Sequence, residues 1–281
     1  MSVLYIVSTP IGNLEDFTFR AVTVLKEVSR VLAEDTRRTS ILFRRHGIVA
    51  PLVSAHEHNE AARASQLVGW LNAGEDVALV SDAGTPLLSD PGARLVRAVI
   101  DAGHDVVPVP GASALLAGLV ASGLEPEPFT FFGFLPRAAG ARRQRLAAVA
   151  ALPHTAVLYE SPARLPALLR DLVDLCGADR QVVVARELTK LHESIVRGSA
   201  AEVSASYDEA VVRGEVVVMV AGAAAEAAGV DEVAALAREL LAAGETTRSA
   251  AREIAQRLQV PRNEAYSLVL SLTGEGRQEK E

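Results

Sequence analysis

The feature that most constrains the fold is a series of short apolar runs, at 3–8, 77–81, 106–109, 156–159, 182–185 and 216–221, separated by helical signals. Several are apolar on consecutive positions, the pattern of strands buried on both faces. Such strands need helices between them, and the intervening segments supply candidates. Leu95, Val96 and Val99 form one apolar stripe closed by Gly103, with Asp90 expected as its N-cap and Pro91 as its first helical residue. The expected architecture is α/β.

A length of 281 residues suits about two domains. The run FTFFGFLP at 129–136, preceded by Pro126 and Pro128, reads as a boundary, and a second alternating stretch follows it. Beyond Ala221 the composition shifts to Ala, Glu and Arg. There Ala250, Ile254 and Leu258 share one helix face, and Pro261 opens a helix carrying Ala265, Leu268, Val269 and Leu272. Two short helices joined at 259–261 resemble a helix-turn-helix. The expected organisation is an α/β domain over 1–122, a second over 123–225, a helical region over 226–273 and a flexible tail over 274–281.

Charge narrows the partners. With 28 basic and 35 acidic residues, the net charge of -7 argues against a general nucleic-acid binder and leaves room only for local basic patches. Cys176 is the single cysteine, so no intramolecular disulfide or CxxC metal pair is available. The first residues lack a signal-peptide pattern and no apolar run is long enough for a membrane span, so a cytoplasmic protein is expected.

Three loops rich in glycine, proline and small residues fall just after expected strands, where open α/β folds bind ligands. The first, STPIGNL at 8–14, contains Pro10 and Gly12. The second contains Asp82, Ala83, Gly84, Thr85 and Pro86 and runs on to Gly92; the third contains Gly111, Ser113 and Ala114. Each alone could be a tight turn, but three together point to a shared crevice. No GxGxxG, GxxxxGK[ST] or HExxH occurs. His56 and His58 lack a third partner at metal-site spacing, so no metal is expected.

The runs STPIGNLEDFTFRA, AEDTRRTSILF, AHEHNE, LVSDAGTPLLSDPG and VPGASAL resemble the small-subunit ribosomal RNA methyltransferase I family, the ribosomal branch of the tetrapyrrole methylases. FFGFLP, YESPAR, ARELTKLHE and GEVVVMVAG extend the resemblance, in order, to about Gly222. It implies a two-domain, tetrapyrrole-methylase-like (class III) methyltransferase fold with a small helix-turn-helix-like extension. It also implies S-adenosylmethionine in the cleft, a homodimer, and methylation of a cytidine 2′-oxygen in the decoding region of 16S rRNA within the small subunit. The sequence departs from the family pattern at Ala163, where histidine is usual, and at Ser194, where an acid is usual.

In that light Asp82 is a candidate to offset the donor's positive charge, Gly84, Thr85 and Pro86 to approach it closely, and Ser113 and Ala114 to leave it room. The resemblance implies that Tyr159 and Glu160, following a strand of the second domain, face the same crevice. A ribose hydroxyl needs a general base; Glu160, Glu187, Lys190 and His192 are candidates and the sequence does not choose. Acid-poor stretches offer RNA contacts at Arg37, Arg38, Arg44 and Arg45 and at Arg137, Arg142, Arg143 and Arg145, with Arg248, Arg252, Arg257 and Arg262 in the terminal helix pair. Two other readings compete. A precorrin-type C-methyltransferase would show a GAGPGD-like first loop in place of STPIGNLED. A non-catalytic nucleic-acid binder leaves the three loops unexplained.

Overall fold

The consecutive apolar runs are all strands, and those at 77–80 and 216–220 are buried at every position. The structure, a computed structural model, describes residues 2–208, 212–224, 230–258 and 260–278. The chain divides into two compact units, residues 1–150 with 154–221 and residues 151–153 with 222–281.

The first unit contains two five-stranded sheets. One is built from β1 (Val3–Val7), β2 (Arg30–Ala33), β3 (Leu52–Ser54), β4 (Val77–Val80) and β5 (Asp105–Val109), in the order β3-β2-β4-β1-β5 and parallel throughout. Helices α1 (Phe19–Glu27), α2 (Thr36–His46), α3 (Glu60–Asn72), α4 (Ala93–Asp101) and α5 (Ala114–Ser122) follow the strands. Ala78 and Val80 pack with Leu25, Leu42 and Phe43 on one face, whereas Val77 and Leu79 pack with Leu67, Leu71, Leu95 and Val99 on the other. That two-sided burial explains why β4 has no polar position.

The second sheet contains β6 (Phe129–Phe134), β7 (Thr155–Glu160), β8 (Gln181–Arg186), β9 (Ser194–Ser199) and β10 (Val216–Val220). Its order is β6-β7-β10-β8-β9, and only β6 and β7 run parallel. Helices α6 (Ala139–Ala151), α7 (Leu165–Cys176) and α8 (Ala200–Tyr207) complete this half. Helix α5 lies against the second sheet: Leu115 and Leu119 join Val157, Val183, Val217 and Met219 in one core. Gly118 permits this, because a Cβ there would meet Met219 Sδ and Val217 Cγ1 at 3.3 Å.

Two sequence expectations change here. The run at 129–136, read as a boundary, begins with strand β6, whose register shifts between Phe131 and Gly133; Gly133 has a φ of 62°. Aromatic residues suit a pleated surface, and the glycine permits the bulge. Asp90 is not the N-cap of α4. That helix starts at Ala93 behind Gly92, which has a φ of 130° and no side-chain cap. The cap comes from a distant part of the chain: buried Glu60 Oε1 accepts from the N–H groups of Gly92 and Arg94, each at 3.0 Å.

The second unit contains α9 (Val230–Ala242), α10 (Thr247–Leu258) and α11 (Arg262–Gln278). Its core joins Val233 and Ala237 to Ala250, Ile254, Ala265 and Val269. The expected helix pair is therefore α10 and α11, with α9 packed on both. Helix α11 continues through part of the segment expected as a tail; Gln259 and residues 279–281 lie outside the described residues.

Candidate active site

The three loops after β1, β4 and β5 are knitted together by hydrogen bonds. Thr9 and Gly84 exchange backbone bonds of 2.8 and 3.0 Å. Ser8 Oγ donates to Thr85 Oγ1 at 3.2 Å, and Thr85 Oγ1 donates to the Ala112 carbonyl at 3.2 Å. Gly84 is held with a φ of 80°, where a side chain would be strained. Tyr159 joins this network from β7, its phenol oxygen accepting from Leu115 N at 3.2 Å and so capping α5 from the other sheet.

These loops and the second sheet enclose a cavity of about 400 Å³, within the roughly 300–1,000 Å³ common for small-molecule sites. Of the residues singled out from sequence, Asp82, Ala83, Gly84, Thr85, Ser113, Ala114, Tyr159 and Glu160 line it. Pro10 and Gly12 border a smaller cavity of about 220 Å³ that shares Ile11, Arg38, Asp82, Ala83 and Glu215 with the first. Pro86 and Gly111 line neither. Pro86 is buried behind the loop, and a Cβ at Gly111 would meet Ser8 Cβ at 3.0 Å, so this glycine serves loop packing. Gly12 likewise makes room for protein: a Cβ there would collide with Lys190 Cγ.

The lining holds an excess of carboxylates. Glu34, Asp82, Asp90, Glu160 and Glu215 face the cavity together with Arg38. Asp82 accepts from Asp35 N at 2.9 Å and pairs with Arg38 Nη1 at 3.3 Å, so both oxygens already have partners. Arg38, expected to meet RNA, thus belongs to the cavity wall. Glu160 is buried, accepts from Ser161 N at 2.7 Å and lies 3.3 Å from Arg164 Nη2. The Glu160 Oε2–Arg164 geometry is that of an ion pair without an aligned hydrogen bond.

Glu187 and Lys190 are not part of the lining, correcting their place among the base candidates. They pair at 2.7 Å, and Lys190 also reaches Glu215 at 3.1 Å. Burial acts against the Lys190 charge, but hydrogen bonds to Glu187 and Glu215 outweigh it and raise its pKa. Burial acts to raise Glu187, yet bonds from Lys190 and the Glu215 backbone bring it below the usual carboxylate range. A lysine held protonated has no lone pair to offer, and a carboxylate whose pKa is lowered binds a proton less readily than an ordinary one, so neither is favoured as a base. His192 lines neither cavity.

The cavity carboxylates that the sequence did not mark as site residues are Glu34, Asp90 and Glu215. Glu34 follows β2, a strand too short to register as an apolar run. Glu215 precedes β10; because β10 is antiparallel to β7, Val216 sits opposite Glu160 and the start of that strand faces the cavity. Burial, then repulsion from Asp82, raises the pKa of Glu34. Burial, with further repulsion from Glu34, Asp82 and Glu215, pushes Asp90 up to about 6. Among the described residues, the non-glycine positions with positive φ are Leu87 and Ser89 in one cavity loop and Glu187 and Thr189 after β8. Strain of about 1–3 kcal/mol at each persists only where surrounding structure imposes it, a pattern common at functional sites.

The described residues contain no cluster of three or more His, Cys, Asp and Glu arranged to hold a metal ion. His56 and His58 stack edge-on, and Asn59 Oδ1 accepts from His56 N at 2.9 Å. The described helices include none long and apolar enough to cross a membrane. Among the arginines, Arg142 is removed from the RNA set: it is mostly buried and paired with Asp171 of α7. Arg37 chelates Asp35 through two bonds of 3.0 and 2.7 Å. Arg137, Arg143 and Arg145 are exposed, Arg145 lying 5.5 Å over the Phe132 ring.

Residues 3–204 match the family described as Tetrapyrrole (Corrin/Porphyrin) Methylases. Relatives named ribosomal RNA small subunit methyltransferase I include a Synechocystis protein, 43% identical over 98% of this chain and 100% of that protein. The Bacillus subtilis protein of that name is 42% identical over 95% and 93%, respectively. The chain belongs to the ribosomal RNA small subunit methyltransferase I family of the tetrapyrrole methylases.

Solved structures agree on the fold. The methyltransferase CobJ aligns with a TM-score of 0.61 at 20% identity, covering 80% of this chain and 95% of that one. A Thermus thermophilus uroporphyrin-III C-methyltransferase complexed with S-adenyl homocysteine aligns at 0.57 with 22% identity, covering 79% and 97%. In this family frame Ala163 is exposed in the short helix Pro162–Arg164, and Ser194 opens β9, its hydroxyl accepting from Arg186 Nε at 3.2 Å.

Proposed function

We propose that the protein transfers the methyl group of S-adenosylmethionine to the 2′-oxygen of a cytidine in the decoding region of 16S rRNA, on the assembled small subunit in the cytoplasm. The observation carrying this reading is the cavity, lined from both sheets and richer in carboxylates than in cations, in a chain 42–50% identical to proteins named for small-subunit rRNA methylation. A net-negative wall favours a cationic ligand over an anionic one. When bound, the donor supplies an electrophilic methyl on a sulfonium.

The chain's own residues then divide the work. Gly84, Ser113 and Ala114 leave room along the first-sheet wall, and Leu88, Phe134 and Leu188 add apolar surface that limits water. Arg38 keeps Asp82 in place. Arg137, Arg143 and Arg145 are available for phosphates outside the cavity, where guanidinium groups position a backbone without reading sequence. Dimerisation is proposed through α5, whose Leu116 and Val120 are exposed one turn apart at 51% and 77%.

The precorrin reading draws on the superfamily match and on tetrapyrrole-methyltransferase structures at 19–22% identity, which share the fold. Nucleoside mass spectrometry of 16S rRNA from cells with and without the gene tests the proposal. Loss of one 2′-O-methylcytidine is expected; an unchanged nucleoside profile would refute it. Purified protein acting equally fast on deproteinised 16S rRNA and on intact subunits would refute the assembled-subunit part.

A further inference from the structure

Asp90 sits in the most constrained part of the cavity wall. Before it, Leu87 and Ser89 have φ values of 73° and 70°, and a Cβ at Gly133 in the β6 bulge would come within 2.8 Å of Ser89 Oγ. After it, Gly92 and Arg94 are held by the buried Glu60 carboxylate. The chain is therefore fixed on both sides of a half-buried carboxyl that lines the cavity.

The other acids there are already engaged. Asp82 pairs with Arg38, Glu160 with Arg164, and Glu215 with Lys190. Glu34 lacks an ion pair among the described residues, but it feels the Arg38 charge and a hydrogen bond from the Asp82 backbone. Asp90 is in no ion pair among the described residues. The charged or titratable groups facing it are Glu34 at the end of β2, Asp82 after β4, Glu215 before β10 and Tyr159 on β7, with the Ser81 hydroxyl beside it.

We propose that Asp90 is the proton acceptor of the transfer, taking the proton of the ribose 2′-hydroxyl as that oxygen is methylated. This rests on the ribose reading above. A lone pair of the 2′-oxygen forms the new O–CH3 bond. The S–CH3 bond breaks, and its electron pair stays on sulfur as a neutral thioether. The hydroxyl proton passes to a carboxylate oxygen of Asp90, which later releases it to solvent. One positive and one negative charge disappear together, so the step leaves no new charge in a partly desolvated cavity.

The acidity of Asp90 suits the role. Burial first, then Glu34 and the other acids, push it up to about 6. It is a stronger base than an ordinary carboxylate and is still largely ionised at neutral pH, the compromise that favours general-base catalysis.

The test combines Asp90→Asn and Asp90→Glu with the wild-type holoenzyme and intact small subunits. Asp90→Asn is expected to lower the single-turnover rate by about 100-fold or more, with S-adenosylmethionine affinity by calorimetry within about threefold of wild type. Asp90→Glu recovers part of the rate. The wild-type rate falls on the acid side, a limb that Asp90→Asn loses. Carbon-13 spectra of aspartate-labelled protein without donor show a carboxyl titrating near 6, absent from Asp90→Asn. This readout needs no turnover, and with Asp90→Glu it decides the matter should the asparagine variant not fold.

A rate within threefold of wild type, equal losses of rate and donor affinity, or no carboxyl titrating above 5 would each overturn the assignment. Product nucleosides separate the two levels: a methyl on a base withdraws the ribose reading and the role with it. A methyl on the 2′-oxygen with an undiminished Asp90→Asn rate withdraws only the role of Asp90.

Discussion

Glu60 holds the start of α4 from another helix, and its removal has a cost that follows from the geometry. One carboxylate oxygen accepts from Gly92 N and Arg94 N at 3.0 Å each, and the Glu60 side chain is buried. In Glu60→Ala the helix loses its capping interaction, about 1 kcal/mol. The buried Gly92 N–H loses its partner, about 1–3 kcal/mol more. The expected destabilisation is about 2–4 kcal/mol, a Tm drop of about 5–12 °C for a cooperative unit of this size. Glu60→Gln keeps an oxygen in the same place and gives up only the charge at the helix N-terminus, about 0.3–1 kcal/mol. Urea denaturation and scanning calorimetry of the three proteins measure the series. If alanine costs less than about 0.5 kcal/mol, or glutamine costs as much as alanine, the carboxylate is not capping α4 and the argument for a fixed Asp90 loop fails.

Three further outcomes are expected. Gly84→Val places a branched side chain at a φ of 80° with Ile11 Cγ2 already 3.3 Å from its Cβ, so calorimetry should show weaker S-adenosylmethionine binding, and unchanged affinity would remove this loop from the site. Arg143→Ala with Arg145→Ala should make the salt dependence of subunit binding shallower, by at most about one unit of slope per lost contact, without changing stability; Arg142→Ala should instead lower stability by about 1–3 kcal/mol because Asp171 loses its partner. Asp90 has a folded pKa of about 6, above the ordinary 3.8, so the folded state binds the proton more tightly and loses stability as pH rises from about 4 to 6. The gap corresponds to about 3 kcal/mol, screened by partial exposure to about 1 kcal/mol; Asp90→Asn should melt higher than wild type at pH 7.5 and no higher at pH 4, as thermal scans at both pH values will show.

The strands legible from sequence are those buried on both faces, such as β4 and β10, because consecutive apolar residues leave a clear trace. Strands β2, β3 and β9 are short or carry partly exposed positions, and β6 is interrupted by its bulge at Gly133. The loop residues at 82–85 and 113–114 were legible because small residues after a parallel strand mark the ligand-binding end of a sheet. Asp90 was misread because Asp-Pro at a loop end has the local form of a helix start, whereas the actual cap arrives from Glu60, far away in the chain. Glu215 escaped because it lies before its strand, a position that faces the cavity only when the strand is antiparallel. Lys190 and Glu187 were reasonable candidates by residue type; their mutual pairing and their absence from the cavity lining are properties of the tertiary fold.

The position of β10 in the second sheet has a consequence for how the molecule comes into being. The last strand made is the middle one, inserted between β7 and β8. During synthesis the first sheet can close once Val109 has emerged, but β7 and β8 stay as two unpaired edges until Val220 is available. Non-local pairing of this kind is slow, and open strand edges invite association with other chains. A chain interrupted anywhere between residues 110 and 215 would therefore carry a finished first sheet beside an incomplete wall, without a closed cavity and with a tendency to aggregate. Premature termination in that interval should leave material for the cell's proteases, with no partly active methyltransferase.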